Sequence, residues 1–303
     1  MKWKKLSRIL IPTETHIYVP TVTLRGNEFR IYASFWDRQQ IKRIGFIDVS
    51  AKDPTKVLRY SKKPALDIGE VGTFDSDGVT PSYILNQGNE VWLYYVGWQS
   101  LAGLLPRYLF TGLAISTDDG NTFERLQHTP ILDRLNGERF IRSTSSILKA
   151  TEIGDEFYRC WYASSNRILS IHGNLVPSYN IRHIYSTDGI KWYGEGIPHI
   201  NFKDPEEFGI TRPWVIKENN IYKMFYSIRK IDKGYSIGYA ESKTGYGWTR
   251  KDNEVGIEKS KDGWDSFMVC FPSIADYEGK RYMFYSGDMD GYRGLGVAIL
   301  EEE

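Results

Sequence analysis

The stretch Phe74–Trp98, FDSDGVTPSYILNQGNEVWLYYVGW, decides the fold, because its order of features recurs through the chain at near-constant spacing. A loop rich in Asp and Gly leads to Pro81, which opens a short apolar strand, Tyr83-Ile84-Leu85. A Gly88-Asn89 turn follows, and a second strand ends in the paired aromatics Tyr94-Tyr95. Gly and Asn tolerate the positive φ that a tight hairpin demands, so the stretch predicts two antiparallel strands joined by a hairpin.

Working outward, the same opening position falls at Pro20, Pro81, Ser145, Pro213 and Pro272, in steps of 61, 64, 68 and 59 residues. Self-similarity at a fixed period outranks any local signal in assigning a fold. Turns recur at Gly26-Asn27, Gly154-Asp155, Asn219-Asn220 and Gly279. Second strands recur as Ile31-Tyr32, Trp161-Tyr162, Phe225-Tyr226 and Phe284-Tyr285, a pattern that places a Tyr at one shared position in every unit. Third strands follow as IGFID, TGLAIS, RHIYS, IGYAES and LGVAIL, whose small and apolar residues suit a buried sheet. In three units a polar turn and an aromatic (Phe123, Trp192, Trp248) then open a fourth, outer strand.

Units of four antiparallel strands, repeated without an amphipathic helix of ordinary length, predict an all-β fold, a five-bladed β-propeller formed by residues 1–303 as a single domain. The fifth unit runs out after its third strand, whereas the chain begins MKWKKLSRIL, whose Trp3 and Leu6 match Phe123 and Leu126 of the second unit's outer strand. The N-terminal strand is therefore expected to close the last blade, hiding an edge and joining the two chain ends.

Composition narrows the function classes. The 39 basic and 38 acidic residues balance to a net charge of +1, which favours neither nucleic acid nor an anionic membrane as partner. No apolar run reaches bilayer-spanning length. The two cysteines, Cys160 and Cys270, are read as reduced thiols of a cytoplasmic protein, and the scattered histidines predict neither a metal nor another cofactor. Chemistry is expected where the loops leading into the first strands converge at one mouth of a central channel. Those loops carry Glu14, His16 and Tyr18; Asp75 and Asp77; Glu138 and Arg142; Glu207 and Arg212; and Asp265.

The motif Asp77-Gly78-Val79-Thr80-Pro81 ahead of a first strand, with Tyr-Tyr or Phe-Tyr in the second, resembles the five-bladed propeller glycoside hydrolases. That class includes arabinanases, β-xylosidases, invertases and levansucrases, with the related mannoside phosphorylases. The resemblance implies three acids on the inner strands of the first three blades. Asp77 matches the second of them, with Asp75 beside it as competitor. The first position holds His16 and Tyr18, with Glu14 the nearest carboxylate, and the third holds Arg142, with Glu138 outside the matched place. The turns Thr117–Gly120 and Thr187–Gly189 resemble the structural Asp-box loops of sialidase-type propellers.

Asp77, Asp75 and Glu14 are accordingly the candidate catalytic carboxylates. His16, Arg142 and Arg212 suit an anionic group on a substrate, with Asp265 and Glu207 beside them and Trp98 and Trp36 as sugar-stacking walls. Three readings stay open: first an enzyme acting on a glycosidic or sugar-phosphate bond, then a non-catalytic binder of glycans or nucleotide sugars, and third a scaffold for protein partners on the propeller faces and apolar loops. Loops 99–108 and 166–180 are expected to set specificity or to form an oligomer contact.

Overall fold

The computed structural model describes residues 1–12, 16–37, 39–101, 105–152, 155–288 and 294–302. Among them the regular elements are strands, apart from a short 3-10 turn at Asp252–Glu254. No described helix is long and apolar enough to cross a membrane.

The strands form successive antiparallel meanders. The first unit is β2 (Ile17–Arg25), β3 (Glu28–Trp36), β4 (Lys42–Ser50) and β5 (Val57–Tyr60). The second is β6 (Val79–Gln87), β7 (Glu90–Leu101), β8 (Leu105–Ser116) and β9 (Glu124–Arg125). The third is β10 (Ile141–Glu152), β11 (Asp155–Ile171), β12 (Asn174–Ser186) and β13 (Ile197–Ile200). The fourth is β14 (Glu207–Glu218), β15 (Ile221–Lys230), β16 (Gly234–Ser242) and β17 (Thr249–Arg250). The last is β18 (Cys270–Tyr277), β19 (Lys280–Ser286) and β20 (Leu295–Glu302), completed by the N-terminal β1 (Lys2–Ile9), which pairs with β20. Trp3 and Phe123 are both buried while Leu6 and Leu126 are both exposed, so the sequence match between these outer strands reflects a shared environment.

Neighbouring units are tied by recurring side-chain contacts. Tyr32 and Tyr94 hydroxyls and the Trp161 indole N–H donate to the carbonyls of Gly120, Gly189 and Gly245 in the following unit, at 2.7, 2.9 and 3.1 Å. Those glycines sit at φ near 75°, a conformation costly for any residue with a Cβ, and their N–H groups bond Ser116, Ser186 and Ser242. The Asp-box-like turns are thus inter-unit clasps. The cycle closes where Ser286 and Ser273 of the last unit accept the Val19 and Val22 N–H groups of the first.

Two sequence expectations change. Tyr32 does not share the position of Tyr95, Tyr162, Tyr226 and Tyr285: the register pairs Thr21 with Tyr32 as it pairs Ser146 with Trp161 and Ser273 with Phe284, leaving Ala33 at the shared place. A one-residue slip moves a strand side chain to the opposite face, which is why Tyr32 takes the part that Tyr94 plays in the second unit. In addition, the first unit has an outer strand, Val57–Tyr60, that no polar turn and aromatic announce, and the third unit's outer strand begins at Ile197 rather than at Trp192.

Between the third and fourth units, His183 is buried against Trp161, His199 and Tyr246, with ring centroids 5.1, 5.5 and 4.9 Å away. Burial first, then the neighbouring His199 and Arg159, push its pKa down to about 3. The unfolded chain takes up a proton below the ordinary value of about 6.5 while folded His183 stays neutral, so stability is lost as pH falls through that window. Between pH 7.5 and 5 this group alone should cost about 2 kcal/mol. Urea unfolding of His183→Gln should show a correspondingly shallower decline over that range; parallel decline in both proteins would remove His183 from the account.

Candidate functional site

Each first strand bulges as it enters the centre, with register slips at Tyr18/Thr21, Pro81/Tyr83, Ser143/Ser146, Thr211/Trp214 and Cys270/Ser273. At three of these bulges Val19, Arg212 and Phe271 adopt φ of 58°, 54° and 57°, a left-handed conformation that persists only where surrounding bonds over-determine it. Ser286 and Ser227 hold the N–H groups of Val19 and Phe271. Arg212 is held through its side chain. Its Nη1 donates to the Pro81 and Ser82 carbonyls at 3.0 and 2.8 Å, and its Nη2 to the Pro20 carbonyl and Thr21 Oγ1 at 2.8 and 2.5 Å. Burial pushes this guanidinium down to about 9, so it remains charged at neutral pH, linking the first, second and fourth units.

Three of the lead-in acids, Asp75, Glu138 and Asp265, are committed to a second recurring device, a Tyr hydroxyl donating to an acid that a cation neutralises. Asp75 accepts from Tyr95 at 2.9 Å and from Arg125 at 2.7 Å. Asp265 accepts from Tyr285 at 3.0 Å and from Lys5 of β1 at 2.7 Å. Glu138 accepts from Tyr162 at 2.7 Å, pairs with Arg142 through Nε and receives Arg182 at 3.3 Å. In the fourth unit Tyr226 donates to Asp252 at 2.6 Å, while Glu207 takes both arms of Arg250 at 2.8 and 2.9 Å. Burial, reinforced by the adjacent carboxylate, raises each of these four tyrosines well above the ordinary phenol range.

Arg142, Arg212, Asp75, Glu207 and Asp265 are therefore bonded into the framework. Arg142 spends its remaining donors on the carbonyls of Asp133 and Gly194, at 2.7 and 3.3 Å. Asp77 is exposed and caps a loop, its Oδ2 accepting the Ser100 N–H at 2.6 Å. His16 stacks on Trp36, with centroids 4.7 Å apart and rings 11° from parallel. Glu14 lies outside the described residues. Of the residues named from sequence, Tyr18, Trp36 and Trp98 are among those that line the central cavity.

That cavity has a volume of about 510 Å³ and draws its walls from every unit. The first supplies Tyr18, Val19, Trp36 and Lys42; the second Thr80, Trp98 and Arg107; the third Ser143 and Tyr179; the fourth Thr211, Arg229 and Tyr235; the last Phe271. No Asp or Glu is among the described residues that line it. Lys42 is buried with Nζ 3.6 Å from the centroid of Trp98 and 4.6 Å from that of Trp36, and the Arg107 guanidinium lies 5.2 Å from Trp98. An indole face attracts such a cation through the negative face of its ring quadrupole. Gly78 packs closely beneath this stack, where a Cβ would stand 3.3 Å from Lys42 Cβ and 3.6 Å from Trp98 Cβ. Trp98 is in turn oriented by its indole N–H bond to Thr80 Oγ1 at 3.1 Å. Across the cavity Tyr179 and Tyr235 share a hydroxyl bond of 2.7 Å, and Arg229 packs over Phe208 and Tyr235. A larger groove of about 630 Å³ lies at the opposite rim, among the first-to-second strand turns. It draws on the first two units alone and is crossed by the Arg25–Asp119 pair, so the central cavity is the better candidate.

Lys42, Arg229 and Tyr235 carry no sequence signal of the kind that marks the lead-in loops, and Arg107 and Tyr179 are single members of longer segments. In a meander the junction of second and third strands returns to that same rim, and these residues stand at or near that junction. Arg107 and Tyr179 fall within segments 99–108 and 166–180, expected as long loops, but both residues are in strands, because β7, β8, β11 and β12 extend through most of those segments.

No family model matches the chain. The uncharacterized protein Rv1502 of Mycobacterium tuberculosis is 33% identical over 308 residues, covering 99% of this chain and 100% of that protein. Among solved structures, one described as a glycoside hydrolase superposes with a TM-score of 0.77 at 18% identity, over 98% of this chain and 91% of that one. A thermostable family-43 glycoside hydrolase gives 0.71 at 20% identity, over 94% and 89%. At such identities the likeness is one of fold, that of the β-propeller glycoside hydrolases.

Proposed function

The chain belongs to the same family as the mycobacterial protein Rv1502, and from that premise and its fold we propose that it is a carbohydrate-active protein whose central cavity takes an anionic sugar. The sheets are read as five blades of one propeller domain, residues 1–303, and the two buried free thiols fit a cytoplasmic setting. The observation that carries the proposal is the lining of the cavity, where Arg107 stands 5.2 Å from the Trp98 ring and Trp36 shares the wall. Guanidinium and ammonium groups give charge-assisted bonds to phosphate or carboxylate oxygens, and indole faces suit the apolar face of a pyranose. A sugar phosphate, a nucleotide sugar or an acidic sugar has this chemistry.

The commitments of the described carboxylates favour recognition over ordinary hydrolysis. A two-carboxylate mechanism needs its acids roughly 5 to 10 Å apart across the scissile bond, whereas Asp75, Glu138, Glu207 and Asp265 are locked in ion pairs and Asp77 caps an exposed loop. The second reading, an enzyme cleaving a glycosidic or sugar-phosphate bond, draws support from the solved glycoside hydrolases that share the fold, and would rest on Glu14 with Asp77.

A panel of nitrophenyl glycosides, glycosyl phosphates and nucleotide sugars, scored for both thermal stabilisation and product, separates the two. Stabilisation by anionic sugars without product supports the binder. Product that disappears in Glu14→Gln and Asp77→Asn supports the enzyme, and indifference to every anionic sugar contradicts both. Arg107 is exposed enough to replace safely, and Arg107→Gln should weaken sugar-phosphate binding about tenfold by calorimetry while leaving the unfolding midpoint unchanged.

A further inference from the structure

Past the sheet of the third unit, β11 and β12 run on together as a two-stranded ribbon, paired from Arg167 and Ser178 out to Ile171 and Asn174. The turn at its tip, His172-Gly173, has φ of 49° and 77°, the positive values that a two-residue hairpin needs. From Asn166 to Pro177 no residue is buried, and none belongs to the apolar clusters that form the core. A hairpin of two strands with no buried face is marginal by itself, and segments with few buried contacts are the first to open locally.

The root of the ribbon is weak and its surroundings are firm. Register slips between Ser164 and Arg167, and Pro177, opposite Ile168, has no N–H to give the ladder. Just inside that point Tyr179 pairs with Gly209 of the fourth unit, where a Cβ would stand 2.4 Å from the Tyr179 ring, and its hydroxyl bonds that of Tyr235 at 2.7 Å. At the far end His172 Nε2 lies 2.9 and 3.1 Å from the two carboxylate oxygens of Asp232, on the turn between β15 and β16. Both side chains are largely exposed, at 66% and 69%, so this contact is easily broken. The ribbon therefore leaves the third unit, borders the central cavity at Pro177 and Tyr179, and is tied at its tip to the fourth unit.

We propose that residues 166–178 form a strap beside the cavity mouth, fastened by His172 and Asp232, and that ligand enters and leaves when this fastening opens. The role in ligand entry rests on the reading of the cavity as an anionic-sugar site; the opening of the strap does not.

The experiment compares hydrogen–deuterium exchange of the full chain in the wild type, His172→Asn and Asp232→Asn, with stopped-flow tryptophan fluorescence on mixing each with glucose 6-phosphate. Asparagine suits the positive φ of both positions, 49° and 57°, so neither turn is disturbed. Wild-type ribbon amides, 167–178, should exchange roughly tenfold faster or more than those of 158–163 in the same strand. His172→Asn should raise the ribbon rate a further two- to fivefold or so, about what an exposed pair supports, and Asp232→Asn, which keeps an acceptor but loses the charge, should fall between. Association and dissociation of glucose 6-phosphate should quicken by that same factor and leave its dissociation constant unchanged, because the fastening is made with and without ligand. Ribbon amides as protected as those of 158–163, or exchange unaltered in both variants, overturn the strap. Faster exchange with unaltered binding rates overturns its part in ligand entry. Failure of glucose 6-phosphate to bind contradicts the anionic-sugar reading, and the exchange comparison still decides the fastening.

Discussion

Arg212→Met should lower the free energy of unfolding by about 4 kcal/mol or more, because four buried acceptors lose their donor at once. Each orphaned buried carbonyl costs on the order of 1 to 3 kcal/mol, and methionine fills the space without supplying a hydrogen. The carbonyls of Pro20, Pro81 and Ser82 belong to two different units, so the loss falls on the relation between sheets rather than on one sheet. Arg212→Lys keeps the charge but not the planar fork, and should recover only part of the loss. Urea unfolding measures both. A cost below about 1 kcal/mol for the methionine variant would mean that the acceptors find other partners and that Arg212 is not the tie between units.

Removing residues 1–10 should have a still larger effect, abolishing a cooperative unfolding transition. The deletion strips β1 from β20, leaving the third strand of the last sheet as a bare edge. It also removes Trp3 and Ile9 from the core and takes Lys5 away from buried Asp265. Removing one partner of a buried ion pair costs roughly 3 to 5 kcal/mol by itself. Lys5→Met, which keeps the strand, separates the two contributions: it should be destabilised but still cooperative. If the truncated chain unfolds at the wild-type urea midpoint, closure by the N-terminal strand contributes nothing to stability.

The architecture was legible because its signals are steric and periodic. Tight hairpins demand Gly or Asn, buried sheets demand alternating apolar residues, and both demands recur with every unit. Even the pairing of the chain ends could be read, since Trp3 and Leu6 face the same surroundings as Phe123 and Leu126. Register was not legible in the first unit. Ile31-Tyr32 looks like Phe284-Tyr285 in composition, and only the bulge opposite Ala33 shows that the Tyr is displaced by one residue.

The candidate site was legible in place but not in membership. The repeat pointed to a common centre, and the cavity there draws on every unit. Yet a charged residue in a lead-in loop looks the same in sequence whether it meets solvent, ligand or a buried partner. Asp75, Arg142 and Asp265 each have a partner from a distant segment, Arg125, the Gly194 carbonyl and Lys5, which no local pattern announces. Lys42 opens a third strand in an ordinary amphipathic sequence. Its burial follows from Gly78 and Trp98 in the next unit.

The central claim is that the cavity accepts the anionic group of a sugar. A crystal structure grown with glucose 6-phosphate tests it most directly. The account predicts density for the sugar within the ring of Tyr18, Trp98, Tyr179 and Phe271, with phosphate oxygens in hydrogen-bond contact with Lys42, Arg107 or Arg229. An empty cavity at saturating ligand, or a sugar bound elsewhere against Asp77, would contradict it.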